Sequence, residues 1–286
     1  VDQKIGVVGA GLMGAEIALV FALADHDVLL NDRDQQSLGR ALARLRTLME
    51  KGVARGFYEQ GQIDAVLARI RPVSDLSTFH DRDIVTEAVF EAVEVKSAVL
   101  KALDEICKPD CLITSNTSTI PISTLAAALP IERRPHFIGT HYFSPVSRMN
   151  LVEVIPGFDT TGTTLEEVMA TIISIGKTPI HVKDVAGFAV NRMLHMFMIE
   201  AVKLVEEGVA TPEDLDTACR LGLGHPIGPF ALMDAVTSSL CVQAQEIMQE
   251  AYGERFRPPP LLKQRVRAGY AGGKGQPGWI TPAVSG

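Results

Sequence analysis

The sequence predicts an α/β chain: a Rossmann-type, doubly wound, mostly parallel sheet followed by an all-helical C-terminal domain. Three observations carry this. Short apolar runs alternate with helical periodicity through the first two-thirds of the 286 residues. A glycine-rich turn joins the first apolar run to the first helical stretch. Beyond about residue 185 only helical periodicity remains. Strands separated by helices pair through crossovers, which makes them parallel and covers both faces of the sheet.

The elements follow in order. Lys4–Gly9 (KIGVVG) is a short apolar strand ending in glycine, and Leu12–Ala24 is a helix. Asp27–Asp32 (DVLLND) is the second strand. From Asp34 to Ala54, Leu38, Leu42, Leu45 and Met49 recur at helical spacing. A further helix at Gln62–Ile70 completes a helical hairpin before Arg71–Leu76. Asp83–Ala88 (DIVTEA) is a strand, Val93–Cys107 a helix, and Cys111–Ser115 and His136–Tyr142 are strands. Leu151–Ile155 and Pro179–Val182 close the sheet. The pattern changes around Lys183–Phe188, and helices follow at Ala189–Glu207, Pro212–Leu221, Phe230–Tyr252 and Leu261–Ala268. A boundary at Asp184–Gly187 gives domains 1–185 and 186–286, with the last ten residues expected to be loose.

Composition narrows the function classes. A hydrophobic content of 47% supplies a sizeable core, and a net charge of −7 disfavours nucleic acid and anionic membranes as partners. An anionic ligand stays possible, since helix N-termini and a few cations bind phosphate locally. The longest uncharged run, Cys111–Ile131, carries Asn116, seven Ser/Thr and two Pro, which makes a poor membrane span. The four cysteines show no CxxC pair and read as reduced thiols, and no metal is expected. With no signal pattern at the start, a cytoplasmic enzyme is expected.

Gly9-Ala10-Gly11-Leu12-Met13-Gly14 is a GxGxxG between strand and helix. Gly9 permits the turn, Gly11 lets the backbone approach a pyrophosphate, and Gly14 lets the helix pack on the sheet. Asp32 ends the second strand 18 residues past Gly14. Its carboxylate suits ribose hydroxyls and repels a 2′-phosphate, which favours NAD over NADP. Arg33 beside it could meet a 2′-phosphate, and FAD also uses this fingerprint.

Three further segments read SNTST (Ser115–Thr119), GTHYFSPVSRMNLVEVIPG (Gly139–Gly157) and AGFAVNR (Ala186–Arg192). With TEAVFE (Thr86–Glu91), VEEGVATPEDLD (Val205–Asp216) and HPIGPFALMD (His225–Asp234), the chain resembles the L-3-hydroxyacyl-CoA dehydrogenases over nearly its whole length. The resemblance implies NAD-dependent, reversible oxidation of a 3-hydroxyacyl-CoA in fatty acid metabolism. That chemistry needs a group to take the alcohol proton, and a neutral imidazole suits it. His141 is the expected base, and its imidazolium the acid of the reverse reaction. Glu153, in the next strand, is implied to hold the other ring nitrogen. Ser118 and Asn191 match residues that hydrogen-bond the reacting oxygen, which puts the site in the cleft between domains.

Glu91 and Lys96 match positions at the nicotinamide-side ribose, and Asn116 follows a strand's C-terminal end, where ligands sit. Lys51 and Arg55 in the helical hairpin are candidates for the phosphates of CoA, or simply a solvated helix face. The resemblance also implies a homodimer through the helical domain, where Leu194, Phe197, Met198, Ala201, Leu204 and Val205 form an apolar stripe that could equally cover the local core.

The sequence departs from the family pattern at Ser144 (HYFSP for HFFNP), at Ala92, where Asn is usual, and at GGKGQPGWI (Gly272–Ile280) in place of KTGxGFY. These departures raise the prospect of a branched, alicyclic or aromatic acyl group. The alternatives are a dehydrogenase of a free hydroxy acid of the gulonate type and a non-catalytic NAD-binding protein.

Overall fold

The structure, a computed structural model, describes residues 3–280. They form two compact units, divided between Val185 and Ala186.

In the first unit, β1 (Lys4–Val8), α1 (Leu12–Leu23), β2 (Asp27–Asn31), the long helix α2 (Gln35–Val53), the short helix α3 (Ile63–Ala68) and β3 (Ile70–Val73) come first. Then β4 (Ile84–Glu87), α4 (Val93–Ile106), β5 (Leu112–Ser115), α5 (Ile122–Ala126) and β6 (Phe137–Tyr142) follow. The unit closes with β7 (Leu151–Pro156), α6 (Gly162–Ser174) and β8 (Thr178–His181). The strands make one eight-stranded sheet in the order β3-β2-β1-β4-β5-β6-β7-β8. Pairing is parallel from β3 to β6, β7 runs antiparallel to β6, and β8 is parallel to β7.

Strands β1 and β2 carry near-continuous apolar runs, and β4 and β5 are buried at every position, because both faces of the sheet are covered. Helix α1 (LMGAEIALVFAL) is apolar on nearly every side, and every residue from Gly14 to Ala22 is buried. Glu16 is the one charged residue in that stretch. Helix α2 is instead amphipathic: Leu38, Ala41, Leu45 and Met49 are buried at helical spacing, and Asp34 caps it by accepting from the N–H of Gln36 and Ser37 at 2.9 and 3.1 Å.

Helix α6 has no counterpart in the sequence reading. Its threonines and β-branched residues lower helix propensity, yet Thr164, Val168, Thr171 and Ile172 are buried at helical spacing and Thr161 caps its start. Packing on the sheet outweighs propensity here.

The second unit is helical: α7 (Val190–Glu206), α8 (Pro212–Gly222), α9 (Pro229–Val236), α10 (Ser238–Tyr252) and α11 (Pro260–Arg267). The single helix expected over Phe230–Tyr252 is two, broken at Thr237 with φ of 78°. The cause is tertiary. The N–H of Ser238 donates to the Ala271 carbonyl at 2.7 Å, and the N–H of Gly273 to that of Asp234 at 2.7 Å, so the C-terminal segment holds the break open. The Asp234 carboxylate accepts from the N–H of Trp279 at 2.7 Å and of Ile280 at 3.1 Å. Trp279 is buried, with its indole N–H 3.1 Å from the Ser238 hydroxyl. Residues 277–280 are therefore built into the unit rather than loose, and the rest of that expectation lies outside the described residues.

Asp216, from VEEGVATPEDLD, does the same for HPIGPF. Its two oxygens accept from Phe230 and Ala231 at 2.8 and 2.9 Å, which caps α9. A Cβ on Gly228 would lie 2.3 Å from that carboxylate, so only glycine fits.

The apolar stripe expected on α7 largely covers its own unit. Met198 and Ala201 are buried, and Leu194 and Val205 pack against the same cluster as Phe230, Met233 and Trp279.

Candidate active site

The carboxyl ends of β1, β4, β5 and β6 share one edge of the sheet, and the strand order reverses between β1 and β4. Ligands of such sheets bind at that switch point. The glycine turn sits there. Gly9 has φ of 102°, and a Cβ on Gly14 would lie 1.9 Å from the Gly9 carbonyl oxygen. A Cβ on Gly11 would meet nothing within 4 Å. The turn is thus closed where the helix packs and open where a pyrophosphate would lie. Helix α1 starts there with no side-chain cap, Leu12 is half exposed, and Met13 is partly buried. Asp32 accepts from the N–H of Ala10 at 2.9 Å and of Asp34 at 3.2 Å, which fixes its carboxylate beside the turn. These residues fit a dinucleotide.

At the ends of β4 and β5 the structure builds a buried polar knot. Lys96, expected to meet the cofactor directly, is buried instead. Its three donors are taken by Glu87 at 2.8 Å, Glu91 at 3.2 Å and the Val89 carbonyl at 3.3 Å. Any effect it has on the cofactor runs through Glu91. One oxygen of Glu91 accepts from the Thr117 hydroxyl at 2.6 Å and from the N–H of Ser118 and Thr119 at 2.8 and 3.0 Å. The Ser118 hydroxyl is 3.2 Å from the same oxygen. Burial works against the charge of Glu91, but Lys96 and these donors outweigh it and hold its pKa below the usual range. Glu91 therefore anchors the SNTST loop. Asn116 ties that loop to β6, its Oδ1 accepting from the Tyr142 N–H at 3.0 Å.

His141 and Glu153 are register partners across the antiparallel pair β6 and β7. The imidazole Nδ1 is 2.8 Å from Glu153 Oε2, and both side chains are buried. A carboxylate only accepts, so Nδ1 carries the hydrogen, and in the neutral ring the lone pair is on Nε2. A fully buried carboxylate needs such a partner, which accounts for Glu153 in the apolar strand LVEVIP. The Phe143 ring lies 4.5 Å from the imidazole, centroid to centroid.

A cleft of about 990 Å³ lies between the helical hairpin and the loop joining β6 to β7. Lys51 and Arg55 line it, together with Arg44 and Arg148, which the sequence reading did not single out. Arg44 and Lys51 stand at i and i+7 on one face of α2, and Arg55 follows in the turn after it, so that spacing was a usable signal. The Arg44 guanidinium donates to the Gly11 carbonyl at 2.8 Å and joins the cleft to the glycine turn. Tyr58 packs against Gly52 at the base, and Arg148 stacks over Phe57 at 5.3 Å. Of the departures, Ser144 is exposed in the loop after β6, and Ala92 occupies the N-cap of α4 with no side-chain bond to the helix.

In the second unit, Asn191 is the second residue of α7, directly after the turn at Gly187 and Phe188, both with positive φ.

Residues 4–185 match the family described as 3-hydroxyacyl-CoA dehydrogenase, NAD binding domain, and residues 187–281 its C-terminal domain. The probable 3-hydroxybutyryl-CoA dehydrogenase of Deinococcus radiodurans is 40% identical over 97% of this chain and 99% of its own. Among solved structures, FadB2 of M. tuberculosis superposes with a TM-score of 0.94 at 35% identity, covering 98% of this chain and 99% of that one. The (S)-3-hydroxybutyryl-CoA dehydrogenase of Ralstonia eutropha gives 0.92 at 34% identity, covering 99% and 100%.

Proposed function

Because the chain belongs to the 3-hydroxyacyl-CoA dehydrogenase family, an NAD-dependent oxidoreductase family, we propose that His141 and Glu153 carry the proton transfer as it interconverts an L-3-hydroxyacyl-CoA and its 3-ketoacyl-CoA. The buried 2.8 Å contact between these two side chains is the observation that supports this most. NAD supplies the hydride acceptor for oxidation, and NADH the donor for reduction. Gly9, Gly11, Leu12, Met13 and Gly14 hold its pyrophosphate, and Asp32 takes its adenosine ribose hydroxyls. Glu91 and Asn116 shape the loop at its nicotinamide end.

Nε2 of His141 takes the substrate's hydroxyl proton during oxidation and returns it during reduction. Glu153 holds the ring by Nδ1 and offsets the imidazolium charge that arises. Ser118 and Asn191 hydrogen-bond the reacting oxygen and stabilise alkoxide character as it develops. Lys51 and Arg55, with Arg44 and Arg148, meet the phosphates of CoA in the cationic cleft.

The relatives' names concern CoA thioesters, which favours a thioester over a free hydroxy acid. The test is NADH oxidation with acetoacetyl-CoA, with NADPH and free acetoacetate as controls. Turnover confined to NADH and the thioester supports the reading. Turnover with free acetoacetate would overturn the role of the cleft, and a panel of branched and ring-bearing thioesters reads the acyl preference.

A homodimer through the helical unit belongs to the same reading. Met193, Val209, Leu221, Leu223 and Leu240 are exposed apolar residues on that unit. Among the described residues no helix is long and apolar enough to cross a membrane. The four cysteines are free and buried, which fits a reducing cytoplasmic setting, and the proposed acyl-CoA substrate fits a place in fatty acid metabolism.

A further inference from the structure

Helix α1 is apolar on nearly all sides, so a carboxylate within it is costly and calls for a reason. Glu16 is 3% exposed. Its Oε2 accepts from the N–H of Ser147 at 3.0 Å and from its hydroxyl at 3.1 Å, across 131 residues of sequence. The Tyr58 phenol lies close enough to Ser147 and Glu16 for both to act on it. Burial, and then the charge of Glu16, push that phenol above its ordinary pKa.

Lys177 holds the same loop from the other side. Also buried, it donates to the Val146 carbonyl at 2.5 Å and the Met149 carbonyl at 2.9 Å. A buried acid takes the loop's donors, and a buried base takes its acceptors. Between them lies the segment that carries Ser147 and Arg148 into the cationic cleft. Tyr58 belongs to the opposite wall. Glu16 thus holds one wall through Ser147, and its charge reaches the Tyr58 phenol on the other.

We propose that Glu16 and Lys177 are positioning residues for CoA recognition: they fix the Val146–Met149 loop against Tyr58, and so set the width of the cleft and the aim of Arg148. This rests on the reading that the cleft takes the nucleotide end of the thioester.

The test compares acetoacetyl-CoA with its N-acetylcysteamine thioester, which keeps the reacting end and lacks the nucleotide. The variants are Glu16→Gln, Ser147→Ala, Tyr58→Phe and Lys51→Ala of the full chain. Glu16→Gln and Ser147→Ala are expected to raise KM for acetoacetyl-CoA about fivefold with kcat within about twofold, the effect of losing one hydrogen bond in Ser147→Ala and the charge that strengthens it in Glu16→Gln. The preference for the CoA thioester over the truncated one falls by the same factor. Tyr58→Phe and Glu16→Gln combined should give less than the product of their separate effects. If Glu16→Gln does not fold, Ser147→Ala reads the same contact. Lys51→Ala calibrates the cleft. If it lowers that preference while Glu16→Gln and Ser147→Ala leave it unchanged, the positioning role is overturned. If Lys51→Ala leaves it unchanged too, the cleft does not take the nucleotide, and both readings fall.

Discussion

The Nδ1 of His141 lies 2.8 Å from Oε2 of Glu153, its register partner across β6 and β7, with the carboxylate fully buried. The strand pairing therefore sets the imidazole's tautomer. Glu153→Gln keeps the shape but removes the charge, and its amide can also donate to Nδ1 and invert the tautomer. A fall in kcat of about a hundredfold is expected, with NADH affinity little changed. Wild-type kcat in this variant would reduce Glu153 to a packing role.

Asp32 is fixed beside the glycine turn by the N–H groups of Ala10 and Asp34. Asp32→Ser removes the charge that repels a 2′-phosphate and leaves Arg33 next to it. The kcat/KM preference for NADH over NADPH should drop about tenfold or more. An unchanged ratio would place the ribose elsewhere.

Helix α4 starts at Ala92 with extended backbone and no side-chain cap. Ala92→Asn supplies an oxygen for the free N–H groups of the first turn. It should stabilise the protein by about 1 kcal/mol, read as a rise in Tm of about 2–4 °C. A lower Tm would mean that the backbone there cannot accept a cap.

His195 is buried in the helical unit, with no partner for its Nδ1 among the described residues. Burial pulls its pKa down from 6.5 to about 4. Above pH 6.5 it is neutral in both folded and unfolded chains. As pH falls from 6.5 to 4 the unfolded chain takes up a proton that the folded one refuses, so stability is lost across that window, by about 3 kcal/mol at most. His195→Leu should be stabilising relative to wild type by an amount that grows as pH falls through that window, read by urea unfolding. A difference independent of pH would show that His195 is protonated in the fold.

Strands β1, β2 and β4 were legible because each is a short run with apolar residues that ends at glycine or an acid. The His141–Glu153 pairing was legible because a buried carboxylate in LVEVIP demands a partner. Other features depend on contacts that no local pattern encodes. Nothing in AVTSSL signals a break at Thr237, which is imposed by Ala271 and Gly273. Glu91 and Lys96 match cofactor positions in the sequence, and only the fold shows Lys96 buried between Glu87 and Glu91 and the SNTST loop anchored on Glu91. Glu16 is joined to Ser147 across 131 residues, and only the folded sheet brings them together.

The most direct test of the account is NADH oxidation by acetoacetyl-CoA in wild type and His141→Ala, with NADH binding followed by its fluorescence. The account predicts steady turnover in the wild type. It predicts unchanged NADH binding in the variant, with kcat lower by about a thousandfold. Retained turnover in the variant would show that another group takes the proton, and would contradict the account.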